Sequence, residues 1–180
     1  MRNLELKARF PDLGRAEEIA RSIGATPGGD LAQRDTYFRF AGGRLKLRED
    51  GRGGGELIFY RRPEDSPARW SDYFKAPVSA PEELRDVLAR ALGVSRVVEK
   101  TRRLLWYRGA RIHLDRVEGL GTFVEFEVPA GDGAAAGDET DPVGGTAAAA
   151  RAVMDELMRA FGLTGADSIA ASYGEMAAAE

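Results

Sequence analysis

Cysteine is absent from the 180 residues of this chain, and histidine occurs once, at His113. The first absence excludes a disulfide framework and any thiolate metal site, and nothing suggests secretion. A single imidazole excludes a multi-histidine zinc site and argues against a histidine-based catalytic triad. A metal in such a chain would be held mainly by carboxylates, which favours Mg²⁺ or Mn²⁺. Long apolar runs are also missing. No stretch is long enough for a signal peptide or a membrane span, so the expectation is a soluble, cytoplasmic protein with no membrane partner. The length suits one domain with a core of its own, placed at residues 1–176, with an Ala-rich tail at 177–180 that frays.

Net acidity is slight, at −3, but the charges are separated along the chain. Residues 34–75 carry ten bases and seven acids, residues 96–116 seven and two, and residues 117–180 two and twelve. The net acidity argues against a large nucleic-acid footprint. A small polyanion held in an enclosed site fits better.

What the chain has instead is alternation. From Arg2 to Phe10, read as a strand, Asn3, Glu5, Lys7 and Arg9 share one face and Leu4, Leu6, Ala8 and Phe10 the other. The pattern recurs. Arg44, Lys46 and Arg48 alternate with Leu45 and Leu47; Lys100 and Arg102 share a face between Val97 and Tyr107. His113 and Asp115 stand together in Arg111 to Val117, as do Glu125 and Glu127 in Thr122 to Val128. Three like charges at period two destabilise a strand unless something anionic lies opposite them. Further strands are expected at 33–40, at 56–62 ended by Pro63, and at 70–76 closed by Pro77; Pro129 ends the strand that carries Glu127.

Helices are expected from Leu13 to Ile23 behind an Asp12 cap, from Pro81 to Leu92, from Thr146 to Phe161, and briefly after Asp167. Ser79 and Glu82 have capping-box spacing ahead of the second helix, whose inward face would be Leu84, Val87, Leu88, Ala91 and Leu92. Residues 26–30 and 130–145 read as loops. The glycines from Gly51 to Gly55 form a turn and not a phosphate loop, since no helix and no Gly-Lys-Ser/Thr follows.

A set of strands with specified polar faces implies an α+β fold: a closed antiparallel β-barrel of about eight strands, forming a tunnel with a polar lumen and helices packed outside. That lumen would have a basic wall from Lys7, Arg44, Lys46, Arg48, Arg62, Lys75, Lys100 and Arg102. It would also have an acidic patch from Glu5, Asp115, Glu125 and Glu127. Burying so many cations demands a counter-anion, which a polyphosphate with a divalent metal on the acidic patch would supply. His113 reads as a structural hydrogen-bonding group and not a general base.

In this order and spacing the motifs resemble the CYTH superfamily, the triphosphate tunnel metalloenzymes that include class IV adenylyl cyclases and thiamine triphosphatases. The matching pieces are Asn3 to Lys7 against the family's Glu-x-Glu-x-Lys, Arg44 to Arg48, Leu57 to Arg62, Glu99 to Arg102, His113 to Gly121, Glu125 to Glu127 and Ser172-Tyr173. The opening looks most like the class IV adenylyl cyclase branch. The resemblance implies a phosphoryl-transfer enzyme using Mg²⁺ or Mn²⁺. Glu5, Glu125 and Glu127, helped by Asp115, would hold metal or accept bonds around it. Glu5, Lys7, Glu125 and Glu127 would be catalytic, and the basic wall would grip ATP, thiamine triphosphate or tripolyphosphate. A homodimer is compatible with it. Asn3 departs from the pattern, with a neutral amide where the family has its first glutamate. Two other readings remain open: a non-catalytic polyphosphate or nucleotide sensor, and a β-rich interaction domain whose charges scatter over the surface.

Overall fold

The computed structural model describes residues 2–61, 69–130 and 146–177. In chain order its elements are β1 (Arg2–Arg9), α1 (Leu13–Ser22), β2 (Thr26–Phe38), β3 (Arg44–Glu49), β4 (Gly55–Arg61), β5 (Arg69–Val78), α2 (Pro81–Leu92), β6 (Val94–Tyr107), β7 (Ala110–Val117), β8 (Gly121–Ala130), α3 (Ala147–Phe161) and α4 (Tyr173–Met176), with a 3₁₀ turn at Gly165–Asp167. The strands close into an antiparallel barrel in the order β1-β5-β4-β3-β2-β6-β7-β8. Closure follows from β1, which pairs with β5 on one side and with β8 on the other. The expected α+β barrel with helices outside is therefore present. Among the described residues no helix is long and apolar enough to cross a membrane.

Period-two alternation sends each strand's two faces to different environments. Leu4, Leu6 and Ala8 of β1, Ile112 and Leu114 of β7, and Val124, Phe126 and Val128 of β8 point outward into a buried apolar cluster. Covering them are Ala16 and Ala20 of α1 and Ala150, Met154, Leu157 and Phe161 of α3. Phe161 meets Phe126 edge-on, with ring centroids 4.9 Å apart. Both α1 and α3 are started by a side chain: Asp12 accepts from Arg15 N at 3.0 Å, and Thr146 accepts from Ala149 N at 3.3 Å. A smaller apolar cluster, including Val98, Val117, Phe123 and Tyr173, lies along the inward-facing rows themselves.

Several local expectations need correction. Residues 26–30 are not a loop but the start of β2, paired with β6 through a register shift between Pro27 and Gly29. Gly28 makes that approach possible, because a Cβ there would stand 2.7 Å from both Leu104 and Trp106 side chains. Pro77 and Pro129 do not stop their strands. They pair with Glu56 and Asn3 respectively, each one residue from its strand's end, where a missing N–H costs least. The Ser79–Glu82 capping box does not form; Ala80 is the N-cap without a side-chain bond, and Pro81 with two first-turn glutamates starts α2 instead. That helix is loosely seated, with Val87 61 % exposed, Ala91 exposed, and Leu84, Leu88 and Leu92 only half-buried. The short element after Asp167 is α4, displaced to Tyr173. Pro63 and residues 131–145 of the expected loop lie outside the described residues.

Candidate functional site

Inward-facing side chains of seven strands and the start of α4 line one cavity that opens to solvent, with about 520 Å³ of space counting its open mouth. Asn3 and Lys7 come from β1, Lys46 and Arg48 from β3, Lys75 from β5, Lys100 and Arg102 from β6, and Glu125 and Glu127 from β8. Tyr37, Tyr60, Tyr73 and Tyr173 complete the wall. The cations and carboxylates that alternation assigned to one face thus converge. The interaction-domain reading, which needs them scattered over the surface, does not survive.

One side of the lumen is built on Asp35 of β2, which is 0 % exposed. Its Oδ2 accepts from Lys46 Nζ at 2.9 Å, Lys100 Nζ at 3.0 Å and Arg48 Nη2 at 2.8 Å, while Oδ1 accepts from Arg48 Nε at 2.8 Å. Burial would raise this carboxyl, but Arg48, Lys100 and Lys46 overcome it and hold Asp35 well below the usual carboxylate range. The lysines go the other way. Burial and the nearby Arg48 bring Lys46 down to about 8 and Lys100 to about 7, because one carboxylate shared by three cations cannot offset their desolvation. Asp35 was not among the sequence candidates, although the signal was present. The triplet Arg44, Lys46 and Arg48 called for an anion opposite, and Asp35 is the cross-strand partner of Arg48.

The other side is organised by Arg102. Its guanidinium donates Nε to Asp115 Oδ1 at 2.7 Å and Nη2 to Asp115 Oδ2 at 2.6 Å, and Nη2 also reaches Glu125 Oε2 at 2.7 Å. Asp115 accepts a further bond from Tyr173 Oη at 2.9 Å. Lys7 Nζ lies 3.5 Å from Glu125 Oε1 and 4.1 Å above the Tyr173 ring. Glu127 Oε2 accepts from Arg111 Nε at 3.0 Å. Burial raises both glutamates, yet Lys7 and Arg102 hold Glu125 well below its ordinary range, and His113 and Arg111 do the same for Glu127. Both are anions.

The remaining candidates are placed as follows. Glu5 is buried and turned toward β5, accepting from Ser71 Oγ at 3.0 Å and from Tyr73 Oη. Lys75 lies on the cavity wall, 5.7 Å from the Tyr73 ring centre. Arg44 pairs with Glu175 of α4 and is not part of the lining. Arg62 lies outside the described residues.

Among the described residues, the ligand atoms that come within 4.8 Å of one another belong to His113, Glu125 and Glu127. His113, from β7, is 4 % exposed. Its Nδ1 has no hydrogen-bond partner, although Glu125 Oε2 is 3.5 Å and Glu127 Oε1 3.7 Å away. Burial and Arg102 push the imidazole below its ordinary value, against the pull of Glu127. An imidazole nitrogen without a hydrogen-bond partner, beside two ionised carboxylates, is a donor set that fits a divalent cation.

Fold and site together define a tunnel protein: a closed barrel whose lumen sets a basic wall against a carboxylate-rich group able to hold a metal ion. The model of the CYTH domain matches residues 1–141, and the chain belongs to that family. The PH1012 protein of Pyrococcus horikoshii OT3 has a similar structure, with a TM-score of 0.80 at 21 % identity over 96 % of this chain and 98 % of that one. A candidate adenylate cyclase from Vibrio parahaemolyticus gives a TM-score of 0.72 at 21 % identity, over 98 % and 97 %. A candidate adenylyl cyclase from Hippeastrum, described as revealing a dominant triphosphatase activity, gives 0.59 at 16 % identity, over 98 % and 95 %. No curated protein matches the sequence significantly.

Proposed function

We propose that this protein is a metal-dependent phosphoryl-transfer enzyme that takes a nucleoside or organic triphosphate, or inorganic tripolyphosphate, into its lumen. One observation carries the reading: Lys7, Lys46, Arg48, Lys75, Lys100 and Arg102 face the same cavity as Glu125 and Glu127. Three cations on Asp35 leave a net positive charge on that side even with the carboxylate ionised. A chain of phosphates supplies the missing anions, and pre-placed cations favour the charge that builds up on a transferring phosphoryl group. Lys46, Lys100 and Arg48 would bind and orient the phosphates. Glu125 and Glu127, with Glu5 behind them on β1, would hold Mg²⁺ or Mn²⁺. Asp115 would keep Arg102 aimed. When bound, the ion would polarise phosphate oxygens and lower the pKa of a water or hydroxyl nucleophile.

The choice between triphosphatase and class IV adenylyl cyclase rests on which phosphorus is attacked. Purified protein offered ATP, thiamine triphosphate and tripolyphosphate with Mg²⁺ or Mn²⁺ decides it. Orthophosphate without cyclic AMP makes it a triphosphatase; cyclic AMP with pyrophosphate makes it a cyclase. Asn3, an amide on the cavity wall where the family has a glutamate, supports a second reading as a binding module. Tripolyphosphate binding without turnover of any of the three substrates would establish that instead.

Binding should depend on pH. The charged lysines hold the anion, and Lys100 in the free protein loses its proton as pH rises through about 7, with Lys46 following at about 8. Tripolyphosphate affinity should therefore fall from pH 6.5 to 9 relative to a Lys100→Arg variant, whose charge stays fixed. Both proteins see the same titration of the ligand, so the ratio of their dissociation constants isolates the lysine. A ratio independent of pH would remove Lys100 from phosphate binding.

A further inference from the structure

We infer that His113 Nδ1 is an inner-sphere nitrogen ligand of the cation centre formed with Glu125 and Glu127, and that it tilts the centre toward first-row transition ions over Mg²⁺. The inference rests on the metal-dependent reading above and says which atoms and which ions that reading involves.

Three observations lead here. The imidazole is almost wholly buried, and its Nδ1 has no hydrogen-bond partner. A buried nitrogen left in that state is costly, and native structures retain such groups where something else satisfies them. The partners it faces are carboxylate oxygens at 3.5 and 3.7 Å. Two atoms each about 2.1 Å from a shared small cation stand roughly 3.0–3.4 Å apart, so this spacing is close to that of co-ligands and too long for an imidazole–carboxylate hydrogen bond. Finally, the register fixes the arrangement. His113 of β7 pairs directly with Glu125 of β8, and Glu127 follows on the same face, so the three project from two adjacent strands of a closed sheet.

The consequence for selectivity comes from donor chemistry. Magnesium takes carboxylate, carbonyl and water oxygens and gains little from imidazole, whereas manganese and the later first-row ions accept it with rising affinity across the series. A centre of two carboxylates and one imidazole therefore discriminates where an all-carboxylate centre would not. Glu125 Oε2 is shared with Arg102 and Glu127 Oε2 with Arg111. Those guanidiniums orient the carboxylates and leave Glu127 Oε1 toward the imidazole.

The test uses the full chain without an affinity tag and Mn²⁺ alone as the probe. His113 is the chain's single histidine, so an imidazole nitrogen signal can arise from no other side chain. Pulsed electron paramagnetic resonance of the Mn²⁺-loaded protein should show imidazole nitrogen coupling. In His113→Gln that coupling should vanish and Mn²⁺ affinity by calorimetry should fall at least about 10- to 100-fold, with Mg²⁺ affinity nearly unchanged. Thermal melting of the metal-free variant checks its fold, and the wild-type spectrum needs no variant. Mn²⁺ bound stoichiometrically without nitrogen coupling overturns the inference and leaves the metal centre standing. Absence of any Mn²⁺ binding overturns the inference and the metal-dependent reading together.

Discussion

Replacing Asp35 by asparagine should destabilise the protein by about 3–5 kcal/mol at pH 6, and added tripolyphosphate should restore much of that loss. The substitution keeps the side chain's size and removes the carboxylate that bonds Lys46, Arg48 and Lys100. Three cations would then stand together without the carboxylate that bonds all of them, with only Glu125 and Glu127 across the lumen as counter-charges among the described lining residues. For a chain of this length the loss corresponds to a melting point lower by roughly 6–20 °C. The sign of its pH dependence follows from the lysines. Their folded pKa values of about 8 and 7 lie below the ordinary 10.5, so between pH 7 and 10.5 the unfolded chain binds more protons. Folded-state stability therefore gains from these two groups as pH rises across that window. Without Asp35 both values drop further, and the variant's deficit should shrink by pH 9. Melting curves at pH 6 and pH 9, with and without tripolyphosphate, measure all of this. A variant as stable as the wild type would mean that the three cations are neutralised some other way, and a deficit that tripolyphosphate leaves unchanged would argue against phosphate binding at this cluster.

The second large effect is at Glu127. If turnover is found, Glu127→Ala should lower the metal-dependent rate by at least about 10³-fold, the scale of several kcal/mol of transition-state charge stabilisation. Glu127→Gln keeps the shape and should lose nearly as much, because charge and not volume is what the site uses. His113 and Arg111 keep this carboxylate ionised, so no accessible pH should mimic the substitution. Stopped product assays with Mn²⁺ and with Mg²⁺ read the effect. Unaltered turnover in both variants would take Glu127 out of the mechanism.

The barrel was legible because alternation is a local signal. Asn3, Glu5 and Lys7 are assigned to one face by the nine residues from Arg2 to Phe10, and Lys100 with Arg102 and Glu125 with Glu127 by equally short stretches. What local patterns cannot supply is the partner across the sheet. Asp35 lies between arginine and threonine in a segment with no period-two charge, and only the β2–β3 register puts it under Arg48. The same limit applies at His113, whose neighbour on the same face of its own strand is an aspartate two positions away. In the fold Asp115 is occupied by Arg102 and Tyr173, and the imidazole faces Glu125 and Glu127 of the next strand. Prolines misled for a different reason. Pro77 and Pro129 look like stops in the sequence, but a missing N–H is tolerated at the last pairs of a strand. Arg44 had the right face and the wrong neighbour, since Glu175 arrives from 131 residues away.

The apolar cluster lies on the outside of this barrel, under α1 and α3, while the lumen is polar. Along β1 this divides labour by parity. Even-numbered Leu4, Leu6 and Ala8 secure the fold, and odd-numbered Asn3 and Lys7 line the cavity. Odd positions can be rewritten with little loss of packed volume, so a new specificity can be selected without first rebuilding the scaffold. Insertion of a single residue in β1 would be far more damaging than most substitutions, because it would exchange the two roles along the strand beyond it. Variation in such a sequence should therefore run through replacements within the strands, with changes of length confined to the connections between them.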